Sequence, residues 1–407
     1  MRFNLICRTA VCGLLLAVAC VHRQQVKPAE QVITLFVSSA PTPAELARTA
    51  SLVQSVRAMV PVIWLGTGRV RLEERTALLG AGALDVSLLA AAGVDAVICG
   101  PEWLELGTAR LRQLADQARF WVLSANLEDS LGLPLCHPWM IKTVGGVRVG
   151  VTALLTDTAD WRRYQAGIKL KPAGYAGKMV LGRLDGRADI KLLVLPVDES
   201  VPIANYDLMI TSRHGMLTRY DLTLTGRRLT GVRKTEINLD EISPASAVQA
   251  RLDSLLADDH AQSEQPVVET RVKIPPRSLR RVLLDGLLSL RLCDVIVYDT
   301  SRLVQDTIFP GMITINRLAQ VLGEPGPWAL VQLEGAQIRE LGNSTGYRVE
   351  HRKNLPGNRL MAHKRYQVLM PVSLLRLHPE IYRSGYEFSP LPFFQYAADI
   401  LQAQGKR

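Results

Sequence analysis

Short, wholly apolar runs alternate with segments of helical period along most of this chain, and that alternation restricts its fold more than any other feature. VITLFVS (32–38), PVIWLG (61–66), VDAVICG (94–100), FWVLSAN (120–126), IKLLVLPV (190–197) and YDLMIT (206–211) are rich in branched side chains. Such runs suit strands covered on both faces. AELARTASLVQSVRAMV (44–60), LDVSLLAAAG (84–93) and ARLRQLADQA (109–118) lie between them with apolar residues at helical spacing. Gly93 stands where a glycine closes a helix. GVRVGVTALLT (146–156) continues the series as a strand. The pattern predicts sheets with helices on their outer faces. RYDLTLTGRRLTGVRKTEINL (219–239) alternates around glycine turns and reads as a closing hairpin.

A chain of 407 residues exceeds one ordinary domain. Residues 240–265 are polar and mostly helical in pattern, as an interdomain helix and linker would be. A second series follows, with helices at 278–290 and 314–323 and a buried strand at 294–299. A strand, Gly turn and helix come next at 328–343, then a further strand at 366–372. The expected organisation is a first domain over 30–239, a helical link over 240–265 and a smaller domain over 266–402.

The N-terminus carries a targeting pattern over residues 1–19. Arg2 and Arg8 precede the apolar run VCGLLLAVA (11–19), and Cys20 follows it. That run suits a signal peptide and is too short to span a bilayer. AVAC resembles a bacterial lipobox, which makes Cys20 the expected lipid attachment site and places the protein outside the cytoplasm on a bacterial membrane. An ordinary cleaved signal without lipid is the alternative. With Cys7 and Cys12 lost in the signal and Cys20 taken by the lipid, Cys99, Cys136 and Cys293 remain. An odd number argues against a full disulfide framework. Cys99 and Cys293 lie in or beside apolar runs and read as core thiols. No Cys-x-x-Cys or His-x-x-x-His pair suggests a zinc site.

The formal net charge of +10 admits anionic partners. No Arg/Lys-rich helix with interleaved aromatics accompanies it, so no nucleic acid is expected. Basic tracts run from Arg271 to Arg302 and from Arg348 to Arg365. They read either as solvated faces or as sites for an anionic group such as a nucleotide, lipid headgroup or cell-wall polymer. No Gly-x-Ser-x-Gly elbow, P-loop or Gly-x-Gly-x-x-Gly follows a strand.

Several stretches, in order, resemble the periplasmic 5′-nucleotidase family over roughly residues 32–402. AELARTASLVQSVRA followed by PVIWLGTG is similar to that family's first helix and second strand. AAAGVDAVICG with FWVLSANL is similar to the segment around its signature loop, and PWMIKTVGGVRVGVTALLTD is the best match. GMITINRLAQVLGEPGPWALVQLEGAQIREL resembles the core motif of its C-terminal domain. The resemblance implies an α/β architecture: a four-layer αββα calcineurin-like metallophosphoesterase domain followed by a smaller α/β 5′-nucleotidase C-terminal-like domain.

The resemblance also implies two adjacent metal ions that generate a hydroxide and clamp a phosphate, held by Asp, Asn and His on loops after the strands. Here Asp-x-His is replaced by Ser39-Ala40-Pro41, and Gly-Asp by Gly68-Arg69. Gly-Asn-His-Glu becomes Gly100-Pro101-Glu102-Trp103, and Leu-Thr-His becomes Leu195-Pro196-Val197. The Gly-Gly-His-x-His loop becomes Thr211-Ser212-Arg213-His214-Gly215. Proline and valine offer a hard cation nothing, and an arginine opposes a dinuclear cluster electrostatically. In the second half, Gln305 falls at the position of the family's phosphate-contacting arginine, with Arg302 three residues before it. The base-stacking loop appears as Gly323-Glu324-Pro325-Gly326, with Trp328 nearby. The Gly-Gly-Asp-Gly-Tyr motif is reduced to Tyr382-Arg383-Ser384-Gly385-Tyr386.

These departures make the expected protein a lipid-anchored, non-catalytic homologue that needs no metal or other cofactor. It binds a partner or a nucleotide-like anion in the interdomain cleft. His214, Arg302 and Trp328 are the candidate residual ligand contacts. A divergent phosphoesterase with a rebuilt site, and a structural envelope lipoprotein, are the alternatives.

Overall fold

The computed structural model describes residues 30–71, 82–104, 106–156, 168–195, 202–212, 215–323, 328–343, 346–352, 360–375, 378, 381, 386–389 and 393–405. Residues 1–29, which include Cys20 and the targeting pattern, lie outside them. The first half runs β1 (Glu30–Ser39), α1 (Pro43–Arg57), β2 (Val62–Thr67), α2 (Ala83–Ala92), β3 (Ala96–Ile98), α3 (Pro101–Leu104) and α4 (Thr108–Gln117). It continues with β4 (Trp121–Leu123), β5 (Leu127–Asp129), β6 (Trp139–Val144), β7 (Val147–Ala153), β8 (Ile168–Leu170) and α5 (Ala173–Leu184). β9 (Ile190–Leu195), β10 (Leu208–Thr211), β11 (Leu217–Thr225) and β12 (Arg228–Ile237) complete it.

These strands form a six-stranded sheet in the order β12-β11-β1-β2-β3-β4 and a four-stranded sheet in the order β10-β9-β7-β6. β1 to β4 are mutually parallel, and the β11–β12 hairpin closes the sheet antiparallel against β1. The side-chain period of a strand sends alternate residues to opposite faces. Ile33, Leu35 and Val37 of β1 therefore meet Val149, Val151 and Leu192 between the sheets. Phe36 and Trp64 face the other way and pack under α1, α2 and α4. On the far side, Ala173 and Ala176 of α5 cover Leu193 and Leu195. The result is the expected four-layer αββα arrangement, and burial on both faces explains why these strands are apolar throughout.

Two helix ends show how local sequence sets them. Thr42 caps α1, its hydroxyl accepting from Glu45 N at 3.2 Å while Glu45 Oε2 accepts from Thr42 N at 2.6 Å, a reciprocal capping box. Gly93 closes α2 with φ +86°. α6 (Ser246–Ser263), the helix expected between the domains, places Val248 and Leu252 in the core beneath α1 and α2.

The second half contains β13 (Pro266–Thr270), α7 (Pro276–Ser289), β14 (Val295–Asp299), β15 (Gly311–Thr314), α8 (Ile315–Leu322) and β16 (Trp328–Glu334). α9 (Gly335–Asn343), β17 (Tyr347–His351), β18 (Arg365–Pro371), α10 (Val372–Leu375), β19 (Tyr386–Phe388) and α11 (Phe393–Gly405) follow. A five-stranded sheet, β17-β14-β18-β16-β19, carries α7, α8 and α11 over one face and α9 over the other. β13 and β15 form a separate two-stranded sheet. Among the described residues, no helix is long and apolar enough to cross a membrane.

Candidate functional site

The C-terminal ends of parallel strands are where an open α/β sheet gathers its loops. Here the ends of β1, β2, β3 and β10 converge. Ala40 N donates to Thr67 O at 2.8 Å, and Ser39 N to Met216 O at 3.2 Å. The hydroxyls of Thr67 and Ser212, both buried, share a 2.6 Å hydrogen bond that ties β2 to the segment after β10. Gly68 has φ +75°, and a Cβ there would lie 3.4 Å from that of Ala40, so the two turns touch. Trp103, fully buried, donates its indole N–H to Gly68 O at 3.2 Å.

The loop after β2 is tied down by two arginines. Arg69 reaches Asp85 in the first turn of α2, with Nε to Oδ1 at 3.3 Å and Nη2 to Oδ2 at 2.8 Å. The Asp85 side chain is 1% exposed and that of Arg69 15%. Burial pushes the Asp85 carboxyl above the ordinary carboxylate range even against the attraction of the guanidinium. Arg71 donates to Glu45 Oε2 at 2.9 Å, and its backbone N–H to Pro41 O at 2.8 Å. Burial works against the Glu45 carboxylate, but hydrogen bonds from Thr42 and Arg71 outweigh it and hold its pKa below the usual value.

The family resemblance implies a dinuclear metal centre at these strand ends. The described residues there do not fit one. Ser39, Pro41, Gly100 and Pro101 bring no carboxylate, amide or imidazole, and the carboxylate nearest Arg69 is already taken by its guanidinium. Glu102 is the one natural ligand among the expected positions, and its carboxylate lies over Gly100, where a Cβ would meet Oε2 at 2.6 Å. Among the described residues, no three His, Cys, Asp or Glu side chains group as metal ligands. Pro196, Val197, Arg213 and His214 lie outside the described residues.

The candidates in the second half do not gather into a site. Arg302 has a side chain 60% exposed, with Nε 3.6 Å from Asp299 Oδ2. Gln305 folds back to donate to Ser301 O at 2.7 Å. Trp328, expected to offer a stacking face to a ligand, instead sits in the core at 2% exposure. Phe393 occupies that face in a stacked pair 4.4 Å between centroids. Glu324–Gly326 and Tyr382–Gly385 lie outside the described residues.

The thiols are buried, as expected of Cys99 and Cys293, and Cys136 joins them. Cys99 is hydrogen-bonded to Cys136, which together with burial pushes its thiol well up, and burial, aided by the Asp294 charge, carries Cys293 to about 12. Neither is an activated nucleophile.

A cavity of about 570 Å³ opens where α2 and α6 meet the starts of α8 and α11. Its lining includes Asp258, Asp259, Gln262 and Gln265 and no basic side chain among the described residues. Its sign is opposite to that of the anion-binding cleft expected from the sequence. A neighbouring cavity of about 470 Å³, sharing Ser87 and Leu255 with the first, carries Arg119 and Arg251.

Sequence reasoning missed Asp85 and Ser212. The available signal for Asp85 was a lone carboxylate inside ALDVSLLAAA, a helix otherwise apolar except for Ser87.

No family model matches the chain, and no curated protein does. Solved structures do resemble it. The 5′-nucleotidase precursor of Thermus thermophilus matches with TM-score 0.51 and 14% identity, over 92% of this chain and 97% of that one. A Staphylococcus aureus protein, solved with alpha-ketoglutarate and named for the 5′-nucleotidases, matches with TM-score 0.53 and 12% identity, over 91% and 96%. At these identities the likeness is one of fold, and it spans both halves of the chain.

Proposed function

We propose that this chain, built on the fold of the 5′-nucleotidases, is a non-catalytic binding protein held outside the cytoplasm by a lipid on Cys20. The observation that carries the reading is the Arg69–Asp85 pair. A guanidinium stands where the family's metal-bridging aspartate is expected, and a buried carboxylate neutralises it. The positive group at this position therefore belongs to the chain and is already paired, in a form that can neither activate water nor exchange ligands. The hydrogen bond between Thr67 and Ser212 supports the same reading, since it joins two strand ends directly.

Ligand chemistry follows the cavities. Asp258 and Asp259 disfavour an anion between the domains, whereas Arg119 and Arg251 suit one in the adjoining cavity.

The test is coordination and turnover together. Purified protein loaded with manganese, zinc or cobalt should retain no stoichiometric metal by elemental analysis. It should release no phosphate from nucleotides or UDP-sugars. Near-stoichiometric metal, with turnover that a chelator abolishes, would sink the proposal and establish the divergent phosphoesterase instead.

A further inference from the structure

β13 and β15 pair through the rung Thr270↔Gly311, and an isolated bridge joins Ile274 to Ile308 beyond it. Between these two pairings Val272 and Phe309 turn to solvent, and Met312 does so inside the paired ladder, opposite Glu269. Val272 is 65% exposed, Phe309 58% and Met312 60%. Single exposed apolar side chains are ordinary on a protein surface; three large ones in one short paired segment mark an interaction site.

The same segment is basic. Arg271 and Lys273 flank Val272, and all three are exposed. Lys273 Nζ lies 5.4 Å from the Phe309 ring centroid, so the cation and the aromatic face the same space. Arg277 is exposed at the start of α7, so residues 271–277 hold three exposed basic side chains, Arg271, Lys273 and Arg277, and no acidic one. The nearby carboxylates are Glu269, opposite Met312 across the pair, and Asp306, held by Arg317 at 2.8 Å.

We propose that this tip docks on an anionic lipid bilayer. Val272, Phe309 and Met312 enter the interfacial region, and Arg271 and Lys273 rest on acidic headgroups. Basic side chains surrounding a projecting apolar and aromatic cluster match what the bilayer interface selects. A soluble polyanion has no use for three exposed apolar side chains. The docking goes beyond the proposed function and does not depend on the lipid at Cys20.

The experiment is co-sedimentation of the full chain carrying Cys20→Ala, so that no lipid contributes. The vesicles are pure phosphatidylcholine, or phosphatidylcholine with one third phosphatidylglycerol. The protein should partition more strongly onto the anionic vesicles, and added salt should weaken that preference. Arg271→Glu/Lys273→Glu should lower partitioning onto the anionic vesicles at least tenfold. Phe309→Ser/Met312→Ser should lower it on both vesicle types. Both pairs are exposed, so urea unfolding midpoints should match the parent. Equal partitioning of the parent onto the two vesicle types, or unchanged partitioning of the charge-reversed variant, would overturn the proposal and leave a protein partner as the occupant.

Discussion

Arg69 grips both carboxylate oxygens of Asp85 across the gap between the end of β2 and the first turn of α2. Breaking a buried pair by removing one partner costs about 3–5 kcal/mol, because the other charge is left stranded. Arg69→Met should therefore destabilise the protein by about that much at neutral pH. The double variant Arg69→Met/Asp85→Leu should recover most of the loss. The sign with pH follows from the raised Asp85 pKa. A buried carboxyl of this kind costs most when ionised, and the cost fades as pH falls through its folded pKa. The deficit of the single variant should be smaller near pH 5 than near pH 8. Urea midpoints at the two values check it; a deficit independent of pH would contradict the assignment.

Arg69→Asp restores the residue type expected at the bridging position. It should restore neither metal retention nor phosphate release, since Pro41 and Pro101 still donate nothing to a cation. It should also place a second carboxylate beside Asp85 and lower the unfolding midpoint. Elemental analysis, phosphate release and a melting curve on one preparation read all three.

Asp189 is held to about 2 by hydrogen bonds from Arg148, with its carboxylate well below the ordinary value. A lowered carboxyl contributes stability above its unfolded pKa of about 3.9, and that contribution drains away as pH falls toward 2. Arg148→Ala should thus be less stable than the parent near pH 6, and the gap should narrow as pH falls through 2. Arg148 is partly exposed, so solvent screening should keep the difference small. Paired urea titrations at the two pH values decide the matter.

α6 packs Val248 and Leu252 into the first core, whereas Pro266 already pairs with Thr314. Limited proteolysis should consequently cut at the C-terminal end of α6, leaving one fragment that keeps this helix and another that begins near residue 266. Mass spectrometry of the fragments locates the cut. Resistance throughout 240–265 would argue that both halves unfold as one unit.

Labelled fatty acid fed to expressing cells should enter the wild type and not Cys20→Ala. Equal incorporation in both would remove Cys20 as the anchor.

Much of this architecture was legible because the strands of the first domain are buried on both faces and so read as unbroken apolar runs. β1, β2 and β9 lie within a few residues of where the sequence places them. α5 was not legible. Its sequence AGYAGKMVLGRL carries three glycines, which weigh against a helix. Packing overrides that preference: a Cβ at Gly177 would meet Ile203 at 2.5 Å and Leu154 at 2.9 Å, so the glycine permits the helix to lie close. β6 escaped notice because it is an edge strand with Lys142 and Thr143 breaking its apolar pattern. For the site, the sequence revealed the wrong residue types at the strand ends but not what they do. The pairing of Arg69 with Asp85, and of Thr67 with Ser212, joins residues from separate loops or strands. No local pattern encodes such partners.

The stitching of the β1 and β2 turns has a further consequence. A rim shaped by bound ions exists in filled and empty forms, and its geometry tracks the supply of those ions. The rim between Ala40, Gly68, Arg69 and Asp85 is closed by groups that belong to the polypeptide. On the proposed reading its shape would be acquired once, at folding, and would stay constant whether the surroundings are rich or starved in metals.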